Sequence, residues 1–174
     1  MSSSTTEPSF PAPVSTQFTA AVVTVSDSCA RGERADLSGP AVAELLAGRG
    51  FRIVAKEIVQ DDGMQIQNIL VHLALEARFI VTTGGTGIAE RDVTPEATES
   101  ICDRLIDGIG ERMRLEGAKK TQFAALSRGV CGVRGKTLIL NLPGSPAGAV
   151  ESLLAVLELI PHALDLLDGK TEHA

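Results

Sequence analysis

The chain has 174 residues, of which 44% are hydrophobic and 22% charged, and its formal net charge is −6 at pH 7. This length suits one domain with a buried core. The acidic balance and the scarcity of aromatic residues, five Phe with no Trp or Tyr, exclude broad nucleic-acid binding by a basic surface or by base stacking. A small anionic ligand is still allowed, because a few backbone N–H groups can hold a phosphate without a basic patch.

The ends of the chain and its apolar segments predict a cytoplasmic protein without a membrane span. Residues 1–17 are rich in Ser, Thr and Pro and have neither a basic start nor an apolar run, so we expect a disordered tail rather than a signal peptide. Residues 18–174 are expected to form the domain. The apolar stretch 153–167 is interrupted by charged residues and proline. It is therefore expected to cover the sheet or to pack at a subunit interface, not to cross a membrane.

Cysteine and histidine usage predicts neither a disulfide framework nor a zinc site. The cysteines are odd in number and widely spaced, and the histidines are scattered. Metal-binding and disulfide-rich proteins instead place such residues at short, paired spacings. The residues concerned are Cys29, Cys102, Cys131, His72, His162 and His173.

Apolar runs alternate with helical patterns, which predicts a three-layer α/β domain with a mainly parallel sheet. Strands are predicted at residues 20–25, 51–59 and 79–83, followed by a pair at 130–133 and 137–142. Helices are predicted at residues 38–50 and 66–73. A third is predicted to begin with Thr94 as N-cap and Pro95 as first helical residue, and to continue through a long polar region to residue 128. The last is predicted from residue 146 onward, where Pro161 either kinks the helix or starts another.

Right-handed crossovers place the loops that follow the strands along one sheet edge. The loops expected there are Ser26 with Asp27, Asp61, residues 84–92 and residues 143–146.

The segment 82–95 carries the strongest chemical signal. Gly84, Gly85 and Gly87 let the backbone turn tightly and bring N–H groups close to an anion. The segment is not a Walker A loop, since no Lys-Ser or Lys-Thr pair follows at the required distance. It is not the dinucleotide fingerprint either, because Glu90 stands where a third Gly or Ala would be needed. On the glycines alone, a simple turn after a strand is the better interpretation.

Two aspartates shift the balance toward a phosphate site. Asp92 lies a few residues beyond the glycines and can hold Mg²⁺ bound to the same phosphates. Asp61, at the end of another strand, can supply a second oxygen ligand. Taken singly, Asp61 suits a solvated turn and Asp92 suits a charge at a helix start. Their expected meeting at one sheet edge favours a magnesium site.

The segment 141–149 is a second candidate for anion binding. A rigid Pro143-Gly144 turn ends the strand, and the helix after Ser145 presents free N–H groups. An ordinary capped connection explains the proline and glycine, but it does not explain the small residues 147–149, which allow close approach. The loop at Ser26 and Asp27 is a weaker candidate for a ligand-facing segment.

These motifs resemble those of the molybdopterin-binding domain family, which includes bacterial MogA and MoaB and a domain of animal gephyrin. The resemblance covers residues 19–168 and rests on three ordered motifs. They are residues 83–87 with 91–98, residues 125–128, and residues 141–146. It implies an α/β fold that assembles as a homotrimer or as a hexamer of two trimers, with the pterin bound at the sheet edge.

In the adenylyltransferase branch of the family, ATP and Mg²⁺ convert molybdopterin to adenylylated molybdopterin and pyrophosphate. The resemblance places Asp61 and Asp92 on the two acidic, metal-binding positions of that branch, and Ser127 in a stretch that reaches the pterin. The residues expected to face the substrates are Ser26, Asp27, Thr83, Gly84, Gly85, Thr86, Gly87, Ser127, Asn141, Pro143, Gly144 and Ser145. The phosphate of molybdopterin is itself the nucleophile, so the lack of a catalytic triad agrees with this chemistry.

Two other functions are compatible with the sequence. The first is a non-catalytic MoaB-like paralogue that carries molybdopterin or acts as a protein-interaction or regulatory module. The acidic, aromatic-poor composition and the N-terminal tail support it. The second is a generic nucleotide-binding α/β protein, which the absence of both common nucleotide fingerprints makes the weaker of the two.

Overall fold

The computed structural model describes residues 18–171. The predicted tail, residues 1–17, lies outside the described residues, as do residues 172–174. Within residues 18–171, six strands form one sheet in the order β2-β1-β3-β6-β5-β4. The strands are β1 (Thr19–Val25), β2 (Arg52–Val59), β3 (Phe79–Thr83), β4 (Arg104–Leu105), β5 (Cys131–Arg134) and β6 (Thr137–Leu142). β2, β1, β3 and β6 run parallel, whereas β5 is antiparallel to β6 and to β4.

Helices cover both faces of the sheet. They are α1 (Asp27–Ala30), α2 (Ser38–Gly48), α3 (Gly63–Leu73), α4 (Thr94–Ile101), α5 (Asp107–Ala118), α6 (Pro146–Val156) and α7 (Ile160–Leu167), with 3₁₀ turns at Gln122–Leu126 and Leu157–Leu159. The predicted three-layer α/β fold with a mainly parallel sheet is confirmed.

The alternation of side chains along β1 shows how the layers are built. Ala20 and Val22 point into the core formed with α2, α5, α6 and α7, whereas Ala21 and Val23 point into the core formed with α3 and α4. Successive residues of a strand face opposite sides, so a strand covered on both faces must be apolar throughout. Phe79 in β3 is completely buried, and burying such a side chain contributes about 1.5–3 kcal/mol.

The apolar stretch 153–167 covers the sheet. Leu153, Ile160 and Leu164 are completely buried in the core shared with α2 and α5. α6 ends at Val156, and Pro161 lies in the first turn of the separate helix α7, where a missing N–H does no harm. None of the helices in the described part of the chain is long and apolar enough to span a membrane.

The prediction of one long helix from Thr94 to residue 128 is wrong. The chain leaves α4 at Cys102, whose backbone is extended, and residues 104–105 then pair with β5 before α5 begins. A strand of two residues is too short to show the apolar–polar alternation of a β-strand, so β4 could not be predicted. Pairing with β5 shields an apolar sheet edge, and this tertiary contact overrides the helical pattern.

The ends of two helices also differ from prediction. Thr94 is not an N-cap. It is the first residue of α4, and its hydroxyl donates to the Gly84 carbonyl at 3.0 Å. The loop predicted at residues 26–28 is the cap and first turn of α1, with Ser26 Oγ accepting the Cys29 N–H at 3.3 Å. The first contact ties the start of α4 to the loop that follows β3, and the second caps α1 directly after β1.

Candidate functional site

β1 and β3 are neighbours at the centre of the sheet, and the connections that leave their carboxyl ends run in opposite directions. The chain leaves β1 toward β2 on one side, while β3 and β6 lie on the other side. Such a switch in strand order opens a crevice in which parallel α/β sheets bind ligands. A cavity of about 530 Å³ lies there, lined by Asp27, Asp61 and Asp92 among others. We call it the acidic cavity.

Asp27 and Asp61 are held side by side by a reciprocal pair of hydrogen bonds. The Asp27 N–H donates to Asp61 Oδ2 at 3.1 Å, and the Asp61 N–H donates to Asp27 Oδ1 at 2.9 Å. The other oxygen of each carboxylate accepts no hydrogen bond from the described residues. The first residue of α1 and the residue that follows β2 are thereby joined, and each carboxylate keeps one oxygen that can accept a bond from a ligand.

The environment of Asp61 disfavours its negative charge. Burial raises the pKa of Asp61, and the nearby Asp27 and Asp92 carboxylates raise it further, against the opposing effects of the Asp27 N–H and the Arg91 guanidinium. A carboxylate desolvated beside like charges gains most from a bound cation. The electrostatics thus point to a positively charged ligand at this position.

A short turn fixes Asp92. Its Oδ2 accepts the Ala89 N–H at 2.9 Å, and its own N–H donates to the Ala89 carbonyl at 2.9 Å. A Cβ atom on Gly87 would lie 2.8 Å from the same Oδ2. Glycine at position 87 therefore gives the carboxylate room to fold back on its own loop.

Gly84 and Gly85 are required by close packing at the end of β3. Gly84 has φ +94°, and a Cβ there would lie 2.3 Å from the Val25 carbonyl oxygen. Gly85 has φ +66°, and its Cβ would lie 2.2 Å from the Thr94 hydroxyl. A Cβ on Gly144 would lie 3.3 Å from Gly84 Cα, so the two predicted anion loops touch through their backbones.

Arginines oppose the carboxylates in the acidic cavity. Arg31, Arg34 and Arg91 line it together with the aspartates, and Arg31 also pairs with Glu33 at 2.8 Å. Arginines in polar loops are common, so nothing in the local sequence distinguishes these three, and only the fold shows that they converge. The cavity can hold a phosphate chain against the guanidinium groups and a cation against the carboxylates.

A second cavity, of about 790 Å³, adjoins the first at Gly144 and Ser145. Its wall includes large apolar side chains that are otherwise exposed, Ile88 by 71% and Phe123 by 69%. We call it the apolar cavity. Ser127 also lines it. Phe123 lies on a 3₁₀ turn, and an isolated Phe in a polar stretch is the one signal that could have drawn attention to it.

Comparison with known proteins decides the family. The family model described as "Probable molybdopterin binding domain" matches residues 21–162, a range that includes every residue lining the two cavities. The chain belongs to the molybdopterin-binding domain family. The resemblance expected from the sequence motifs is thereby confirmed.

Two curated relatives and one solved structure match this molybdopterin-binding domain over most of their length. The chain is 42% identical over 152 residues to a molybdopterin adenylyltransferase of Helicobacter pylori, in a match that covers 85% of this chain and 86% of that protein. It is 34% identical over 165 residues to the molybdopterin adenylyltransferase of Escherichia coli K12, covering 85% and 84% of the two proteins. The solved structure of the molybdopterin biosynthesis enzyme MoaB from Thermus thermophilus superposes with a TM-score of 0.83 at 53% identity, covering 88% of this chain and 98% of that one.

Most site residues predicted from the sequence line one of the two cavities of the domain. The acidic cavity is lined by Ser26, Asp27, Asp61, Thr83, Gly84, Gly85 and Asp92. The apolar cavity is lined by Thr86, Gly87, Ser127 and Pro143. Gly144 and Ser145 line both. Side by side, the cavities can hold two ligands of different chemistry.

Asn141 does not reach either cavity. It is completely buried, and its Nδ2 donates to the hydroxyls of Thr82 at 3.1 Å and Thr98 at 2.9 Å. Its Oδ1 accepts the Val130 N–H at 3.3 Å. Its side chain therefore joins β6 to β3, α4 and the segment before β5. The predicted contact of Asn141 with a substrate has no support in this geometry.

We expect Asn141→Ala to destabilise the domain by about 1–3 kcal/mol, because it leaves buried polar groups of Thr82, Thr98 and Val130 without their hydrogen-bond partner. Urea denaturation measures the change in the free energy of unfolding. Ligand affinities of the folded fraction should equal those of the wild type. A variant that unfolds like the wild type but loses ligand binding would contradict the structural role.

Proposed function

We propose that this protein adenylylates molybdopterin, with ATP as the adenylyl donor, in the biosynthesis of the molybdenum cofactor. The observation that carries the proposal is the meeting of the acidic and apolar cavities at Gly144 and Ser145. A reaction that joins two large substrates needs adjacent sites that align the reacting groups. The relatives named molybdopterin adenylyltransferase, matched over 85% of this chain, support the same chemistry.

The two cavities suit different substrates. The triphosphate of ATP fits the acidic cavity, where Arg91 and the backbone N–H of Gly85 can hold its oxygens. The pterin fits the apolar cavity, where Phe123 offers an aromatic face and Ser127 a hydroxyl. The phosphate of molybdopterin then lies near the shared Gly144 and Ser145 wall.

The donor set also fits Mg²⁺ that arrives with ATP. Among the described residues, no three His, Cys, Asp or Glu side chains form a group that could hold a metal ion. Mg²⁺ is commonly held by only one or two carboxylates, together with substrate phosphates and water. Asp61 and Asp92 would be those carboxylates. When bound, the ion would neutralise charge that builds up on the phosphates.

The proposed reaction needs no covalent intermediate with a side chain of the protein. An oxygen of the molybdopterin phosphate attacks the α-phosphorus of ATP and forms a new P–O bond. The bond from the α-phosphorus to the oxygen bridging the β-phosphorus breaks, and pyrophosphate leaves with the electron pair. The nucleophile is already an anion, so no base is needed. Arg91 and the Gly85 N–H offset repulsion between the two anions and keep them in line.

The comparisons do not favour the non-catalytic alternative. The relatives that match nearly their whole length are named as enzymes of this pathway, and the acidic cavity of this chain contains both Asp61 and Asp92. Assembly as a homotrimer or hexamer stays a prediction from the family resemblance. Residence in the cytoplasm stays a prediction from the N-terminal residues and the apolar segments of the sequence.

Release of pyrophosphate tests the proposal. The purified protein, incubated with ATP and Mg²⁺, should release pyrophosphate only when molybdopterin is also present. Apparent formation of AMP and pyrophosphate without molybdopterin would show that water is the acceptor instead. No release under either condition would contradict the proposed activity.

A further inference from the structure

Arg128 lies beside both cavities and fastens the loop that carries Asp92. Its backbone N–H donates to the Thr86 carbonyl at 2.9 Å. Its guanidinium donates from Nε to the Gly87 carbonyl at 2.8 Å and from Nη2 to the Asp92 carbonyl at 2.7 Å. The remaining nitrogen, Nη1, forms an ion pair with the Glu96 carboxylate. One residue thus contacts the start of the loop at Thr86 and Gly87, its end at Asp92, and the first turn of α4 at Glu96.

These contacts fix the separation of the loop ends. A guanidinium is planar and presents its N–H donors in a rigid fork, so its three acceptors cannot move independently of one another. The pair is charged throughout the neutral range, because Arg128 lowers the pKa of Glu96 and Glu96 raises that of Arg128. Lysine at position 128 would offer one flexible ammonium and could not reproduce the fork.

The shape of the loop in turn decides where the Asp92 carboxylate points. Asp92 Oδ2 is tied to the Ala89 N–H at 2.9 Å, and its other oxygen accepts no hydrogen bond from the described residues. If the ends of the loop spread, the turn at Ala89 and the carboxylate move together. Arg128 also follows Ser127 directly, so it connects the wall of the apolar cavity to the loop that carries Asp92.

We propose that Arg128 is a positioning residue, which holds the Asp92 carboxylate in place for the Mg²⁺ of a bound nucleotide without touching the ion itself. This inference rests on the proposed function, which supplies the nucleotide and the ion. Groups that orient a metal ligand through hydrogen bonds typically account for about 10–100-fold in metal affinity or activity. The same range is the effect expected here.

The test uses Arg128→Lys and two readouts. The first is the Mg²⁺ concentration that gives half-maximal adenylyl transfer, which should rise about 10–100-fold. The second needs no turnover: electron paramagnetic resonance measures the affinity of Mn²⁺ for the protein with a non-hydrolysable ATP analogue, and this affinity should fall by a similar factor. Glu96→Gln, which removes only the ion pair, should shift both readouts in the same direction by a smaller factor.

Arg78→Lys is the matched control. Arg78 also joins a backbone carbonyl and a carboxylate, donating to the Lys136 carbonyl and to Asp168 Oδ1 at 2.8 Å each, but at the opposite end of β3 from the site. Arg78→Lys should lower stability while leaving Mn²⁺ affinity unchanged. Unchanged Mn²⁺ affinity in Arg128→Lys, or an equal loss in Arg78→Lys, would overturn the inference. A wild-type protein that binds Mn²⁺ with the analogue but transfers no adenylyl group would overturn the proposed function alone.

Discussion

Asp61→Asn is expected to lower kcat for adenylyl transfer by roughly 10²–10³-fold, the usual effect of removing one preorganised electrostatic group. The substitution keeps the size of the side chain and an oxygen that can accept the Asp27 N–H, but it removes the charge that would hold the cation. Affinity for molybdopterin should not change, because Asp61 lines only the acidic cavity. Steady-state kinetics and pterin-binding titrations measure the two effects separately.

The same variant should be at least as stable as the wild type without ligands. Burial raises the pKa of Asp61 in the folded protein, so the folded state favours the protonated form. That favourable contribution is complete below the ordinary pKa of an aspartate and is lost as the pH rises through the raised value. At neutral pH the ionised carboxylate therefore weakens folding, and a neutral amide removes this penalty. Thermal unfolding at neutral pH measures the difference.

Asp62→Asn supplies a control one residue away. Asp62 is exposed and caps α3, its Oδ1 accepting the Gln65 N–H at 2.8 Å. Asparagine caps helices about as well as aspartate, so activity and stability should both stay near wild type. Full activity in Asp61→Asn, or an equal loss in Asp62→Asn, would contradict the role given to Asp61.

Gly84→Ala is expected to destabilise the fold by at least about 1–3 kcal/mol, the range for one residue forced into an unfavourable backbone conformation. The φ of +94° disfavours any L side chain, and the new Cβ would lie 2.3 Å from the Val25 carbonyl oxygen. Relief requires the end of β1 or the loop at Gly144 to move. Since both segments line the acidic cavity, activity should fall even in the folded fraction.

Urea denaturation and activity assays well below the unfolding transition check both parts of this prediction. The matched control is Gly48→Ala, at the end of α2, where φ is not positive and, apart from the adjacent residues and the backbone of α2 itself, no atom of the described chain lies within 4 Å of the new Cβ. There alanine should stabilise the protein by about 0.4–1 kcal/mol by restricting the unfolded chain. Equal effects at the two positions would mean that neither the positive φ nor the close packing at Gly84 excludes a Cβ atom.

Much of the fold follows from local patterns in the sequence. β1 and β3 were predictable because their runs of apolar, largely β-branched residues are short and end at polar or glycine-rich loops. The convergence of Asp61 and Asp92 was predictable too, since right-handed crossovers send the carboxyl ends of parallel strands to one edge. Topology alone therefore located the acidic cavity.

Other features depend on contacts that no local pattern encodes. The apolar cavity joins Phe123 and Ile88 from segments far apart in the chain. Thr94 looks like a helix cap in sequence, yet its hydroxyl bonds the carbonyl of Gly84, ten residues earlier. Asn141 next to a loop suggested a ligand contact, but the alternation of side chains along a strand turns it into the core. These distinctions require the three-dimensional arrangement.

The mass of the pterin product shows directly whether the protein adenylylates molybdopterin. The purified protein would be incubated with molybdopterin, ATP and Mg²⁺, in parallel with Asp61→Asn, and the pterin fraction analysed by mass spectrometry. We expect adenylylated molybdopterin in the wild-type reaction and a loss of at least about 10²-fold in its rate of formation in the variant. Tight binding of molybdopterin by the wild-type protein with no adenylylated product would contradict the proposed function.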